Sequence, residues 1–218
     1  MAVAEREGVV LLHGLGMARW IMRPAERALG TEGYETLNLS YASTRRSLDA
    51  IVEALDKQIA PFAQQRRAIH FVGHSLGGLV IRRYLVTRRP DNLGKVVMFG
   101  TPNHGSELAN FTRQIGLERI FLGQMGDVLC VGRPTDVEAQ LGSVDYPLGV
   151  IAGNRPGWQN IFGPCFKETH DGKVTISSSK LAGMTDHIVV PYGHDEMVRK
   201  PEAQAQMVHF IRESRFER

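Results

Sequence analysis

Apolar positions in the first hundred residues change period in a regular way. Gly8-Val9-Val10-Leu11-Leu12-His13 is a continuous apolar run, the pattern of a strand buried on both faces. Residues 17–31 read as a helix that stops near Gly30 and Gly33, and residues 34–39 as a second strand. Ser47 is placed to cap a helix running to about residue 66, with Leu48, Ile51, Val52, Leu55, Ile59 and Phe62 on one face. Pro61 is expected to kink or shorten it. A third strand follows over residues 68–72, then a helix over 76–88 with Leu76, Leu79, Val80 and Tyr84 at helical spacing. Residues 95–99 read as a fourth strand. Strands alternating with helices predict βαβ units and a parallel sheet covered on both faces.

The second half is looser. Residues 101–147 carry helical pieces around 107–115 and 134–141 but no strong strand. Residues 148–152 read as a fifth strand and 187–191 as a sixth. A closing helix is expected over 196–215, with Met197, Ala205, Val208 and Ile211 available to the sheet.

One stretch carries a specific chemical signal. Gly73-His74-Ser75-Leu76-Gly77-Gly78 lies between a predicted strand and a predicted helix, the context that a G-x-S-x-G nucleophile elbow requires. Serine at its free pKa is a weak nucleophile and needs a base. Of eight histidines, His194 follows the last strand, on a loop able to reach back to the elbow. His187 starts that strand at its far end, His209 lies inside the closing helix, and His74 is expected to point away from the site. The base in turn needs a carboxylate. Asp171 follows the fifth strand and precedes the histidine; Asp145, Asp186 and Asp195 are less well placed by order or spacing. Two backbone amides must meet the oxyanion of an acyl transfer. Leu76, after the nucleophile, and Leu15, in His13-Gly14-Leu15-Gly16, are the candidates. His13 is expected to brace that loop. Met17 and Trp20 are expected to edge the substrate pocket, with a core position the competing reading for Trp20.

These motifs, with Gly100-Thr101-Pro102-Asn103-His104-Gly105-Ser106 and Asp171-Gly172-Lys173-Val174, resemble those of α/β-hydrolases of the small bacterial lipase and esterase type. The Gly-Thr-Pro-x-x-Gly-Ser segment is similar to that of triacylglycerol lipases and the PGAP1-like group. The resemblance implies an α/β-hydrolase fold with a mostly parallel sheet of about six strands, helices on both faces and a small or absent cap. It implies ester hydrolysis by Ser75, Asp171 and His194, acting on a small-molecule ester or lipid, with thioester hydrolysis, acyl transfer and a non-catalytic binding role as alternatives.

Composition narrows the partners. The chain has 218 residues, 43% of them hydrophobic and 22% charged, with a formal net charge of +3. One domain over residues 1–218 is expected, with 101–147 the only room for an inserted cap. Residues 111–125 of that stretch include Phe111, Ile115, Leu117, Ile120, Phe121, Leu122 and Met125, which suit an acyl pocket or core packing. A charge of +3 spread along this length argues against nucleic acid; the Arg-Arg pairs at 45–46, 66–67, 82–83 and 88–89 are expected at helix ends or solvent faces. No apolar run approaches the roughly 18 residues of a membrane span. The charged N-terminus shows no leader, so a cytoplasmic protein is expected, with Cys130 and Cys165 as free thiols. No metal constellation and no cofactor loop is visible. Oligomeric state is left open.

Overall fold

The computed structural model describes residues 6–157 and 163–218. Residues 1–5, read above for a leader, and 158–162, within the loop after the fifth strand, lie outside the described residues. Six strands, β1 (Gly8–Leu12), β2 (Glu35–Leu39), β3 (Ile69–His74), β4 (Leu93–Phe99), β5 (Leu148–Gly153) and β6 (Asp186–Val190), form one sheet in the order β2-β1-β3-β4-β5-β6. Every pairing is parallel. Alternate side chains leave opposite faces of each strand, and both sets are buried. Val10, Leu12 and Phe71 pack under α2 (Leu48–Gln64) and α3 (Leu76–Thr87). Val9, Leu11 and Val72 pack under α1 (Arg23–Thr31) and α9 (Pro201–Glu213).

Two helix starts differ from the sequence pattern, each at a proline, and a third proline lies inside its helix. The segment predicted as one helix over 17–31 opens as a 3-10 turn, Arg19–Met22, and becomes α-helical at Arg23, with Pro24 in its first turn. Proline is tolerated there because the first-turn N–H groups have no partner in any case. The closing helix likewise starts at Pro201, after extended Lys200, since the ring of a proline drives the preceding residue out of the helical region. Pro61 does not end α2; the helix runs on to Gln64. Pro61 and Lys57, whose carbonyl loses its donor, are exposed, and buried Ile59 and Ala63 anchor the last turn.

Residues 101–147 fold as four short α-helices, α4 (Glu107–Gln114), α5 (Glu118–Phe121), α6 (Gly126–Leu129) and α7 (Thr135–Leu141), with a 3-10 turn, Gly123–Met125, between α5 and α6. Two further short elements are α8 (Ile176–Ser179) and a 3-10 turn, Met197–Arg199. The solvent-face expectation fails for one arginine. Arg82 is 2% exposed, because α3 is covered by the sheet on one side and by α7 on the other. Its guanidinium donates to the Gly142 carbonyl at 3.0 Å and to Asn103 and Glu138 at 3.4 Å. Arg133, whose side chain is buried, donates to the carbonyls of Asn103 at 2.6 Å and Pro102 at 2.5 Å, and pairs with the same Glu138 at 3.1 Å. Burial lowers both guanidinium pKa values, opposed by Glu138.

Replacing Arg82 with Met leaves the Gly142 carbonyl and Asn103 Oδ1 short of donors, while the Asn103 carbonyl and Glu138 keep Arg133. The expected cost is about 1–3 kcal/mol, read as a lower denaturation midpoint at unchanged slope.

Candidate active site

In a parallel sheet all the strands point one way, so the loops after β1, β3, β4, β5 and β6 share one edge. The turn after β3 is the tightest of them. Ser75 has φ 54° and ψ −123°, an unfavourable region for a residue with a side chain. The turn is held by Ser75 N–H donating to the Phe99 carbonyl at 2.8 Å and Gly78 N–H donating to the Ser75 carbonyl at 3.0 Å. It also requires glycine at 77, where a Cβ would lie 2.3 Å from the Leu12 carbonyl oxygen. The backbone of α3 thereby sits directly on β1. Ser75 faces the cleft at the start of α3, where first-turn amides, Leu76 first, have no carbonyl one turn back.

Asp171 and His194 meet on the loops after β5 and β6. His194 Nδ1 lies 2.8 Å from Asp171 Oδ2, and both side chains are 1% exposed. The carboxylate can only accept, so Nδ1 carries the proton. Asp171 Oδ1 accepts from the amides of Lys173 at 2.9 Å and Val174 at 2.8 Å, which aims the other oxygen. The Asp171 carbonyl accepts the His194 amide at 2.9 Å, fixing the histidine a second time. Gly100 (φ 55°) closes the third side; a Cβ there would lie 3.0 Å from both Asp171 Oδ2 and His194 Nδ1. His194 Nε2 is buried and has no hydrogen-bond partner among the described residues.

The loop after β1 packs against the elbow, with Gly14 close enough that a Cβ would lie 3.1 Å from that of Ser75. His13 braces this loop. Its ring stacks on Tyr41 at 4.3 Å, accepts the Tyr41 amide at Nε2 (3.2 Å) and donates from Nδ1 to the Gly14 carbonyl (2.8 Å). The Gly16 amide donates to Ser43 Oγ at 2.9 Å; the Leu15 amide, between them, has no acceptor among the described residues.

A cleft of about 420 Å³ opens beside Ser75 and His194. Leu15 and Met17 line one side, and Leu108, Phe111, Ile115, Leu122 and Leu129, from the stretch between β4 and β5, line the other. Leu117 and Phe121 belong to the same wall, whereas Met125 is buried in the core and Ile120 is 74% exposed. Trp20 is neither a cleft residue nor a core residue. It is 54% exposed, because the 3-10 turn spends its buried side on Ile21 and Met22. Arg199 sits over the outward ring at 5.4 Å. A separate groove of about 500 Å³ lies at the other end of α2 and α3; its arginines 66, 67, 88 and 89 each hold a carboxylate, and nothing reactive lines it.

His74 is the residue whose position the sequence did not convey. Its ring packs 4.9 Å from that of His194, with Nε2 2.9 Å from the His194 carbonyl oxygen. Next to an acceptor-only carbonyl, Nε2 is the protonated nitrogen. One buried imidazole thus touches the His194 backbone and, across Gly14, the loop after β1. His74, His194 and Asp195 place donor atoms within 4.8 Å of one another, the grouping that sequence spacing did not show. The Lys173 ammonium, 2.8 Å from Asp195, sets a positive charge against any cation there.

An all-parallel six-stranded sheet with a strand–Ser–helix elbow and an Asp–His pair at its C-terminal edge is the α/β-hydrolase arrangement. A sequence model of the alpha/beta hydrolase family matches residues 9–210, and the chain belongs to that family. Among solved structures it is similar to a lipase of Bacillus licheniformis in its mature form, with TM-score 0.78 and 19% identity over 96% of this chain and 92% of that one. It is similar to a phospholipase of Legionella pneumophila, with TM-score 0.65 and 20% identity, covering 80% of this chain and 44% of that one. A thermophilic esterase of Thermogutta terrifontis gives TM-score 0.61 and 12% identity over 97% and 92% of the two chains. At these identities the likeness is one of fold.

Burial, followed by the neighbouring His194 charge, pushes the His74 pKa down to about 3. The unfolded chain therefore binds this proton first, near pH 6.5, and stability is lost as pH falls from there toward 3. The expected slope from this residue is about 1.4 kcal/mol per pH unit. Urea midpoints between pH 7.5 and 4.5 check it; His74→Gln, which keeps a donor for the His194 carbonyl, shows the smaller drop.

Proposed function

We propose that the protein is a serine hydrolase that cleaves carboxylic esters with short or medium acyl chains, through an acyl-enzyme on Ser75. The observation that carries this reading is the buried His194 ring. Its Nδ1 is committed to Asp171 at 2.8 Å, its buried Nε2 has no hydrogen-bond partner among the described residues, and His194 and Ser75 line the same cleft. A fixed tautomer with a free basic nitrogen beside a strained serine is what nucleophilic acyl transfer needs.

In the proposed reaction, His194 Nε2 takes the Ser75 proton as Oγ attacks the ester carbonyl carbon. The carbonyl π electrons move to oxygen, which the Leu15 and Leu76 amides meet. Asp171 stabilises the imidazolium without taking the proton. The carbon–oxygen bond to the leaving alkoxide breaks, and His194 returns the proton to it, releasing the alcohol. Water then attacks the acyl-enzyme carbonyl while giving a proton to the same Nε2. Collapse breaks the carbon–Oγ bond, His194 returns that proton to Oγ, and the carboxylic acid leaves with Ser75 restored. Each oxyanion donor of this kind is worth roughly 3–4 kcal/mol of transition-state stabilisation. The apolar cleft, with Met17 at its edge, supports binding of the acyl chain, and no step calls on a cofactor or a metal.

A series of p-nitrophenyl esters tests the reading. Rates are expected to peak at short or medium chains; a maximum at the longest chains contradicts that preference. Ser75→Ala should lose the activity and labelling by a fluorophosphonate probe together. Asp171→Asn is expected to lower kcat by about four orders of magnitude with KM little changed. Full esterase activity in Ser75→Ala would refute the acyl-enzyme.

A further inference from the structure

The wall of the cleft ends in an apolar surface that none of the described residues covers. Helix α5 has no buried residue, yet half of it is apolar: Ile120 is 74% exposed and Phe121 55%. Ile115, at 47%, and Leu117, at 36%, continue the patch. Three of the four, Ile115, Leu117 and Phe121, also line the cleft beside Ser75 and His194. The exposed patch and the cleft interior are therefore one continuous apolar surface, and the patch forms its mouth. Clusters of this kind on a folded surface usually meet another apolar phase.

The charges around it identify which. Arg119 lies on α5 itself, and the loop bearing Arg45 and Arg46 is tied to the turn after α5. The Gln124 amide donates to the Thr44 carbonyl at 3.1 Å and the Gln124 side chain to the Arg45 carbonyl at 2.8 Å. Arg45, Arg46 and Arg119 are exposed and have no carboxylate partner among the described residues. The acids nearby, Glu118 and Asp127, are both taken by Arg113, at 2.6 and 2.7 Å. Four arginines thus face two carboxylates, leaving an excess of two positive charges beside the apolar tips.

We infer that this face docks on a lipid surface carrying anionic headgroups, with Ile120 and its neighbours entering the interface and the arginines meeting the headgroups. A protein partner or a second copy seated on the same patch would close the cleft, whereas a lipid surface would lie open to it. Among the described residues no helix is long and apolar enough to cross a membrane, and the inferred attachment is through this face. The inference builds on the ester-hydrolase reading by naming the surface from which substrate is drawn, but docking is measurable without turnover.

The test is co-sedimentation of the Ser75→Ala protein with vesicles of phosphatidylcholine alone or mixed with phosphatidylglycerol. Binding to the mixed vesicles is expected to be at least ten-fold stronger and to weaken with added salt. Ile120→Asp is expected to lower it about ten-fold, and Arg45→Gln and Arg119→Gln about five-fold each. Because these side chains are exposed, the variants should keep the parent thermal midpoint and, with Ser75 intact, its rate on a soluble short-chain ester. Absent binding, equal binding to both vesicles, binding unchanged in the variants, or a dimer that Ile120→Asp dissociates would each overturn the inference. Lost vesicle binding with soluble-ester hydrolysis intact refutes the surface alone; vesicle binding by a protein that hydrolyses no ester refutes the catalytic reading alone.

Discussion

The constraint on which the site depends is the close approach of the first turn of α3 to the end of β1. With Gly77 against the Leu12 carbonyl oxygen, the chain must reverse within one residue after His74, and only the unfavourable φ and ψ of Ser75 accomplish it. Strain of this kind costs on the order of 1–3 kcal/mol. It persists because its surroundings leave no alternative: Phe99 holds the Ser75 amide, parallel neighbours flank β3 on both sides, and α3 is packed against the sheet by Leu76, Leu79 and Val80. A relaxed serine would require the helix to lift from the sheet and the core beneath it to open. The Ser75 side chain is thus presented to the cleft by a turn held from both the sheet and the helix.

The electrostatics around the cleft follow from burial. His13 and His74 have pKa values lowered chiefly by desolvation, so both stay neutral and serve as hydrogen-bonding spacers. Asp171, in the interior, is met by two backbone amides and one imidazole. Asp195, next in sequence to His194, is held down at about 2; burial works against this, and the charges of His194 and Lys173 outweigh it. Two adjacent residues thereby divide the chemistry, one carboxylate turned to Lys173 and the imidazole turned to the other carboxylate.

Much of this was legible because the signals are local. A strand buried on both faces announces itself by a continuous apolar run, and βαβ alternation leaves few topologies. The elbow could be placed because its glycines are adjacent in sequence. The chain order of Asp171 and His194 was enough to bring the two residues into one site, since parallel strands deliver their loops to one edge. What stayed hidden depends on packing between distant segments. The burial of Arg82 is set by α7, more than fifty residues on. Trp20 reads as a pocket residue by proximity to Gly16, but a 3-10 turn rotates it outward. His74 lies next to the serine, and nothing in its neighbours reveals that it packs under a histidine 120 residues away.

The stretch that forms the far wall of the cleft leaves and rejoins the core at one point. The Ser106 amide donates to the Leu129 carbonyl at 2.8 Å, and Ser106 bridges to Cys130 in register. Just beyond, Arg133 clasps the carbonyls of Pro102 and Asn103. Segments whose ends are pinned side by side tolerate changes in what lies between. The chain from 107 to 129 is therefore free to vary at its exposed and cleft-facing positions, provided that Ala109, Met125 and Val128 keep their places in the core. A scaffold built this way can acquire a new substrate by replacing one wall, while the machinery for breaking bonds stays where it is.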